Sequence, residues 1–172
     1  GHGRHLAKTL RAVYVAQRAS AKGDPWFRWR LHASSAQEVP RYKIYISPQP
    51  AQVREAFSTV VHLCCTVRVP AFKIGVGPLG LLRPDKLVLY FTAPEMLWSV
   101  ARHLSLQLHD CPPHGVPFSA AIDAGGLLSW GIDPPQERAF RTAGGASWRA
   151  FITHHLGSAL AWRAADAPDF MI

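Results

Sequence analysis

Residues 42–47 read Tyr-Lys-Ile-Tyr-Ile-Ser, and the alternation of side chains in this stretch decides the predicted fold. Successive side chains of a strand point to opposite faces, so Lys43 and Tyr45 share one face while Ile44 and Ile46 share the other. Isoleucine and tyrosine also favour the extended conformation. The stretch therefore predicts a strand that is apolar on one face and carries polar groups on the other.

The segments after this strand predict a regular series of elements. A helix follows Pro50, because apolar residues from Val53 to Cys64 recur at helical spacing, and a second helix begins at Pro94. Three more strands are predicted, at residues 69–74, 86–91 and 116–122. The order strand, helix, strand, strand, helix, strand is that of a split βαββαβ core. We therefore predict an α+β fold in which helices cover one face of an antiparallel sheet.

The regions that flank this core are less regular. Apolar residues from Leu6 to Ser20 recur at helical spacing and predict an amphipathic N-terminal helix. Residues 22–40 combine glycine, prolines and an aromatic cluster, which indicates an irregular segment whose aromatic rings pack onto the body. A glycine-rich hairpin near residues 125–126 and a closing helix at about residues 147–162 follow. We expect one domain over residues 1–172, with an N-terminal part at 1–40 and the core at 41–165.

The composition narrows the class of protein. The 172 residues are 48% hydrophobic, which is enough for a buried core. Nineteen Lys and Arg against 11 Asp and Glu leave a formal charge of +8, which favours an anionic partner such as nucleic acid, a phosphorylated peptide or a membrane surface. No window approaches the roughly 18 consecutive apolar residues of a membrane span, and three cysteines, two of them adjacent, make a poor disulfide framework. We therefore expect a cytoplasmic protein without a membrane span, and of the possible anionic partners we expect a phosphorylated peptide rather than a membrane or nucleic acid.

Three predicted strands each place a lysine on the sheet face that points away from the helices: Lys43, Lys73 and Lys86. Grouped ammonium groups repel one another, which disfavours protonation of the least solvated one, so one lysine can act as a base while the others bind an anion. Arg68 and Arg83 flank the second of these strands and the turn before the third, where a guanidinium group could bind phosphate with two hydrogen bonds. Ordinary solvated lysines on a sheet face are the alternative interpretation.

Two other patterns carry less weight. Residues 75–80, Gly-Val-Gly-Pro-Leu-Gly, match the glycine pattern of dinucleotide-binding loops, but Pro78 argues against the helix that such a loop requires. We interpret these residues as a mobile turn between two strands. The histidines lack a carboxylate or cysteine at a familiar ligand spacing, which predicts no metal site. Cys64 lies on the apolar stripe of a predicted helix and is interpreted as a packed thiol.

Four short motifs carry a resemblance to known proteins. They are YKIYIS at residues 42–47, AFK at 71–73, RPDKLVLY at 83–90 and VPF at 116–118. Their order and spacing resemble the HopA-type type III effector family and, more distantly, the OspF-type phosphothreonine lyases and the lyase domains of lanthipeptide synthetases. The resemblance extends from Tyr42 to about Leu160.

The resemblance implies a β-elimination that needs no cofactor: phosphate leaves a phosphoserine or phosphothreonine side chain and a dehydroamino acid remains. Lys73 matches the lysine that removes the α-proton in the lyases, and Lys43 matches a lysine that assists it. Arg83, with Arg68 and Lys86 as further candidates, would bind the phosphate. Fixed positive charge would stabilise the enolate that develops in the transition state.

Tyr45 departs from the lyase pattern. At this position the phosphothreonine lyases place the histidine that protonates the departing phosphate. A tyrosine hydroxyl can donate a proton, but its ordinary pKa of about 10 matches neutral pH less well. The departure leaves open a second interpretation, a catalytically inactive module of the same fold that binds a peptide or phosphopeptide.

The sequence thus predicts a phosphoserine or phosphothreonine lyase, or a lyase-like subunit, of lanthipeptide-type ribosomal peptide biosynthesis. It would act on a precursor peptide after a partner kinase. A third interpretation is binding of single-stranded RNA, because Tyr45 and Tyr90 on a basic sheet face could stack bases. The predicted strand at residues 86–91 lacks the glycine and aromatic pattern of RNA-recognition motifs, which argues against nucleic acid.

Overall fold

The computed structural model describes residues 2–17, 24–32, 41–115, 119–133 and 148–165. The chain separates into two compact units, Gly1–Gly131 and Ile132–Ile172. The first unit contains nearly all of the sheet, and the second contains the C-terminal helix. The expectation of one domain over residues 1–172 stays a prediction.

Helices and strands alternate along the described residues. The helices are α1 (His2–Val13), α2 (Val53–Val67), α3 (Gly77–Leu81), α4 (Pro94–Gln107) and α5 (Trp148–Ala165), and a 3-10 turn at Pro50–Gln52 precedes α2. The strands are β1 (Tyr14–Gln17), β2 (Trp26–Leu31), β3 (Tyr42–Ile46), β4 (Ala71–Gly75), β5 (Leu87–Phe91), β6 (Ala120–Ala121) and β7 (Leu128–Ile132). No helix among these residues is long and apolar enough to cross a bilayer.

The strands form one antiparallel sheet in the order β1-β2-β4-β5-β3-β7-β6. Its centre is β4-β5-β3-β7, in which β4, β5 and β3 are the second, third and first strands of the predicted βαββαβ core and β7 stands in the place of the fourth. Strand β5 lies between β4 and β3, with Lys73 opposite Val88 and Lys43 opposite Tyr90. The predicted α+β class is therefore confirmed, and the register brings the lysines of β3 and β4 to the two sides of β5.

Helices α2 and α4 cover one face of this sheet. Side chains of β3 and β5 such as Ile44 and Leu89 are buried there against the apolar stripes of both helices. Cys64 is fully buried in the same core, which confirms the prediction of a packed thiol. Tyr14 anchors β1 to this core, because its hydroxyl oxygen lies 2.8 Å from the carbonyl oxygens of both Cys64 and Val69, which share its one O–H donor.

The N-terminal helix is shorter than its apolar spacing predicts. Helix α1 ends at Val13, and Tyr14 begins strand β1, whereas a helix to Ser20 was predicted. Tyrosine and valine at positions 14 and 15 favour a strand once a partner strand is available. Strand β2 supplies that partner, with Tyr14 opposite Leu31.

Strand β2 itself corrects a second prediction. Its residues, WFRWRL, were interpreted as an irregular segment, yet they pair with both β1 and β4. Phe27 and Trp29 do pack against the helix-side core, as expected of aromatic rings. Trp26 points to the opposite face, so aromatic residues lie on both sides of the strand and obscure its alternation.

Two further predictions around the glycines are corrected. A short helix, α3, stands where a turn without a helix was predicted, because Pro78 lies in its first turn, where the missing N–H costs nothing. The strand predicted at residues 116–122 falls partly outside the described residues, since 116–118 are not among them, and β6 covers two residues only. The fourth core strand is instead β7, reached through the predicted hairpin turn, where Gly126 has a φ of 76°.

Candidate active site

The sheet face opposite the helices carries a group of aromatic and cationic side chains, here called the lysine face. Alternation along the four strands β2, β4, β5 and β3 brings them to the same side. Its members are Trp26, Arg28, Lys43, Tyr45, Lys73, Val88 and Tyr90, together with Arg83 from the turn before β5. Trp26, Tyr45 and Val88 form a small buried cluster with Tyr90 packed against it.

Two lysines converge on the ring of Tyr90. The Nζ atom of Lys43 lies 5.3 Å from the ring centroid, and that of Lys73 lies 5.8 Å from the same centroid. The Nζ atom of Lys73 also lies 3.8 Å from the ring centroid of Trp26, a cation–π distance. The structure thus brings together two of the lysines that sequence analysis selected, one from each neighbour of β5.

Lys73 is the lysine of this face whose pKa is shifted by its surroundings. Burial is the main cause that lowers its pKa from 10.5 to about 8, and the charges of Lys43, Arg28 and Arg83 lower it further, while Asp85 opposes them. At pH 7 a group with this pKa is neutral about one tenth of the time, against well under a hundredth for an ordinary lysine. Lys73 can therefore accept a proton near neutral pH.

Arg83 is held by a carboxylate. Its Nε donates to Oδ1 of Asp85 at 2.9 Å and its Nη2 donates to Oδ2 at 3.1 Å. The side chain of Arg83 is 40% exposed while that of Asp85 is 6% exposed. This ion pair uses two of the five N–H groups of the guanidinium and holds it in one orientation. The other three N–H groups of this oriented fork can still bind an anion from solvent. The guanidinium carbon lies 5.2 Å from the ring centroid of Trp26, which places Arg83 beside Lys73.

Strand β2 adds residues that sequence analysis missed. Arg28 lies directly opposite Lys73 in the register and donates from Nη1 to Oδ2 of Asp24 at 2.7 Å. Oδ1 of Asp24 accepts the backbone N–H of Trp26 at 3.1 Å, and the bond from Arg28 is the main cause that lowers the pKa of Asp24. The alternation of Phe27, Trp29 and Leu31 with two arginines is the sequence signal for this strand, although Trp26 on the other face partly obscures it.

Lys86 and Arg68 take other positions. Lys86 is fully buried, and its Nζ donates to the carbonyl oxygen of Pro48 at 2.8 Å and lies 3.0 Å from Nδ1 of His114. Burial lowers its pKa. Arg68 ends α2 with a φ of 58°, and the group that its charge affects is the hydroxyl of Tyr14 in the helix-side core. Phosphate binding by either residue stays a prediction.

Tyr45 lies on the lysine face beside β7. It is 6% exposed, and a Cβ atom placed on Gly131 would stand 3.5 Å from its Cε2 and 3.8 Å from its hydroxyl oxygen. The glycine therefore leaves room for the ring and its hydroxyl. Tyr45 and Lys43 are two residues apart on β3, so both project from the same face of the sheet.

No model of a known protein family matches the chain, and no curated protein sequence matches it. Solved structures do. The Chromobacterium violaceum VirA (SpvC) phosphothreonine lyase effector matches with a TM-score of 0.56 and 16% identity, over 69% of this chain and 65% of that one. The type III effector and phosphothreonine lyase OspF from Shigella flexneri gives 0.54 and 14%, over 74% and 75%. An effector protein from Pseudomonas syringae pv. syringae strain 61 gives 0.51 and 16%, over 91% and 71%.

At these identities the likeness shows the fold alone. The chain is similar in fold to effector structures, including phosphothreonine lyases, as the order of its sequence motifs indicated. It spans about two thirds of the VirA chain. The link to lanthipeptide synthetases stays a prediction.

Proposed function

We propose that this protein is a phosphoserine or phosphothreonine lyase that removes phosphate from a peptide side chain by β-elimination and leaves a dehydroamino acid. The observation that carries the proposal is the convergence of Lys43 and Lys73 on the ring of Tyr90, beside the oriented fork of Arg83. The fold likeness to phosphothreonine lyases supports the same chemistry.

Lys73 is the proposed base. Its neutral amine takes the proton from Cα of the phosphorylated residue, and the electron pair of that C–H bond forms the Cα=Cβ double bond. The Cβ–O bond breaks, and its electron pair leaves with the phosphate. A pKa of about 8 supplies both a neutral fraction and useful basicity near neutral pH.

Lys43 and Arg83 are the proposed electrostatic partners. Removal of the α-proton places negative charge on the neighbouring carbonyl oxygen, and an ammonium group held close to Lys73 is suited to stabilise it. Arg83 would bind the phosphate with the N–H groups that Asp85 does not use. Arg68 stays a secondary candidate for phosphate binding. Lys86 is a weaker one, because its Nζ already donates to the carbonyl oxygen of Pro48.

Tyr45 is the proposed acid. Its O–H would donate its proton to the bridging oxygen of the departing phosphate, so that hydrogen phosphate leaves in place of the trianion and a phenolate remains on Tyr45. Proton transfer from the Lys73 ammonium through solvent then restores both side chains to their starting forms.

The proposed substrate is a phosphorylated precursor peptide of lanthipeptide-type ribosomal peptide biosynthesis. A partner kinase would supply the phosphate ester, since elimination needs that leaving group. The formal charge of +8 favours the approach of such an anionic peptide.

The direct test incubates the protein with phosphothreonine and phosphoserine peptides, with and without the partner kinase, and follows intact mass. Loss of phosphoric acid followed by addition of a small thiol to the product identifies a dehydroamino acid and excludes hydrolysis, which leaves an alcohol. Lys73→Ala should abolish the reaction. Lys8→Ala, at an exposed position on α1, is the matched control and should leave the rate unchanged. Unchanged peptides under all conditions would contradict the proposal.

A phosphopeptide-binding module without catalysis is the second candidate, and the tyrosine at position 45 favours it. In that case phosphopeptide binding is saturable and is lost in Lys73→Ala, while the peptide mass never changes. Any turnover by the wild-type protein excludes this candidate.

A further inference from the structure

We propose that Arg28 on β2 is a phosphate-binding residue that shares one phosphate monoester with Arg83 next to Lys73. The inference rests on the proposed function and adds to it a phosphate-binding residue that the sequence did not indicate. Strand β2 would then supply part of the anion site, beyond the core strands β3, β4 and β5.

The sheet register places Arg28 beside Lys73. Arg28 and Lys73 are opposite residues of the antiparallel pair β2 and β4, so their Cα atoms are about 5 Å apart and their side chains leave the same face. In keeping with this register, the charge of Arg28 contributes to the lowered pKa of Lys73, after burial and the charge of Lys43. An anion that binds Lys73 is therefore within the field of Arg28.

Asp24 orients the guanidinium group of Arg28. One of its oxygens is bound to the Trp26 backbone N–H at the start of β2, and the other accepts from Nη1 of Arg28. The carboxylate is thus fixed to the strand and holds the guanidinium in one orientation. The Arg28 side chain remains 36% exposed, against 19% for Asp24, so the cation rather than the carboxylate faces a ligand from solvent.

Two arginine–aspartate pairs of similar construction lie on the lysine face. Arg28 with Asp24 and Arg83 with Asp85 have the same construction, in which a more buried carboxylate orients a more exposed guanidinium. Both lie near Trp26: Arg83 approaches its ring, and Arg28 follows it by two residues on the same strand face. Two such forks beside one lysine suit a phosphate dianion, which presents several oxygens to separate donors.

Arg30 provides a matched control. It lies on the same strand and the same face as Arg28, is exposed, and is opposite Ala71 rather than Lys73. Arg28→Gln and Arg30→Gln make the same change of charge and size. A general loss of positive charge would weaken phosphate binding equally in both variants. Loss of a residue that contacts the phosphate would weaken it in Arg28→Gln alone.

The first experiment measures binding of inorganic phosphate and of a phosphothreonine peptide by calorimetry at constant ionic strength. We expect Arg28→Gln to weaken both by roughly tenfold or more, since hydrogen bonds to charged groups are the strong class, and Arg30→Gln to stay within about twofold. Arg28→Lys should give an intermediate loss, because it keeps the charge and loses the fork. Equal losses in the two Gln variants, or no loss in Arg28→Gln, would overturn the inference.

The second experiment reports on Lys73 without any turnover. Acylation of Lys73 by a small amine reagent is followed by peptide mass spectrometry, with Lys43, Arg83 and Asp85 unchanged as its other charged neighbours. Half-protection of Lys73 should need a similar phosphate concentration in the wild-type protein and in Arg30→Gln, and a roughly tenfold higher one in Arg28→Gln. Half-protection of Arg28→Gln at the wild-type phosphate concentration excludes the role.

These readouts separate the two proposals. Phosphate binding that depends on Arg28, with no elimination from any phosphopeptide, would overturn the lyase function and keep the anion site. Elimination that proceeds in Arg28→Gln with unchanged kcat/KM would overturn the Arg28 assignment and keep the lyase.

Discussion

The Nζ atom of Lys73 lies 3.8 Å from the ring centroid of Trp26. The negative face of an indole ring attracts an ammonium group, whereas burial and neighbouring cations favour the neutral amine. The protonation state of Lys73 therefore depends on a balance in which a β2 side chain takes part.

Replacing Trp26 should shift that balance. In Trp26→Leu the site stays apolar but loses the ring face, so we expect the pKa of Lys73 to fall by about one unit, given a cation–π interaction of about 1–2 kcal/mol. The pH dependence of Lys73 acylation measures the shift, and Trp26→Phe should largely restore the wild-type profile.

Trp98→Leu is the control for this substitution, because Trp98 is an exposed ring of α4 that packs edge-on against Trp130, 5.3 Å away. Its acylation profile should match the wild type. An unchanged profile in Trp26→Leu would show that the ring does not influence Lys73.

Lys73 should also lower the stability of the fold near neutral pH. Its folded-state pKa of about 8 is below the ordinary 10.5, so the unfolded chain binds more protons between these values. This penalty is fully present below pH 8 and is relieved as pH rises toward 10.5. We expect Lys73→Met to be more stable than wild type by about 2 kcal/mol at pH 7.

Urea unfolding at pH 7 and at pH 9.5 checks the sign of this effect. The difference between Lys73→Met and wild type should shrink at the higher pH. Lys8→Met, at an exposed helix position, should show no such dependence. A difference that grows with pH would contradict the assigned direction.

The core of the site was predictable from local alternation, and its surroundings were not. Lys43 and Lys73 were assigned to one face because isoleucine and phenylalanine alternate with them. Arg28 required β2, whose pairing with β4 is a long-range interaction that a local pattern does not specify.

The position of Lys86 shows the same limit. Its alternation with Val88 and Tyr90 predicted a strand that begins at Lys86, whereas β5 begins one residue later, at Leu87. The partners of Lys86 are a backbone carbonyl and a histidine from two separate connections. Which loop reaches a side chain depends on the path of the chain through space, and no periodicity encodes that path.

We expect the main role of Lys86 to be structural. Lys86→Met leaves the buried carbonyl of Pro48 without this donor, so the free energy of unfolding should fall by about 1–3 kcal/mol, as measured by urea unfolding. Phosphopeptide affinity, measured where both proteins are folded, should change by less than about twofold. A tenfold weaker affinity would instead identify Lys86 as a phosphate ligand.

Position 80 of α3 should tolerate no side chain, because the backbone of Gly75 and Pro25 lies too close. A Cβ atom on Gly80 would stand 2.7 Å from the carbonyl carbon of Gly75 and 2.7 Å from the carbonyl oxygen of Pro25. We therefore expect Gly80→Ala to lower the free energy of unfolding by about 1–3 kcal/mol and to weaken phosphate binding, because the turn to Arg83 follows directly.

Gly157→Ala is the control for that substitution. A Cβ atom on Gly157 meets no atom within 4 Å among the described residues, and alanine favours helix α5 by about 1 kcal/mol over glycine. Its stability should be equal to or above that of the wild type. Equal stability of both alanine variants would show that the close approach of Gly75 and Gly80 relaxes at little cost.

Tyr45 offers the sharpest test of the acid role. If its hydroxyl protonates the departing phosphate, Tyr45→Phe should lower kcat by about 100-fold or more while KM changes little, since a general acid acts in the transition state. Tyr45→His introduces the residue that the sequence resemblance implies at this position and should recover activity, with an optimum at lower pH because an imidazolium loses its proton near pH 6.5 or so. Initial rates of elimination between pH 5 and 9 measure both effects. Full activity of Tyr45→Phe would show that the leaving phosphate takes its proton from solvent or needs none, and Tyr45 would then be a packing residue against Gly131.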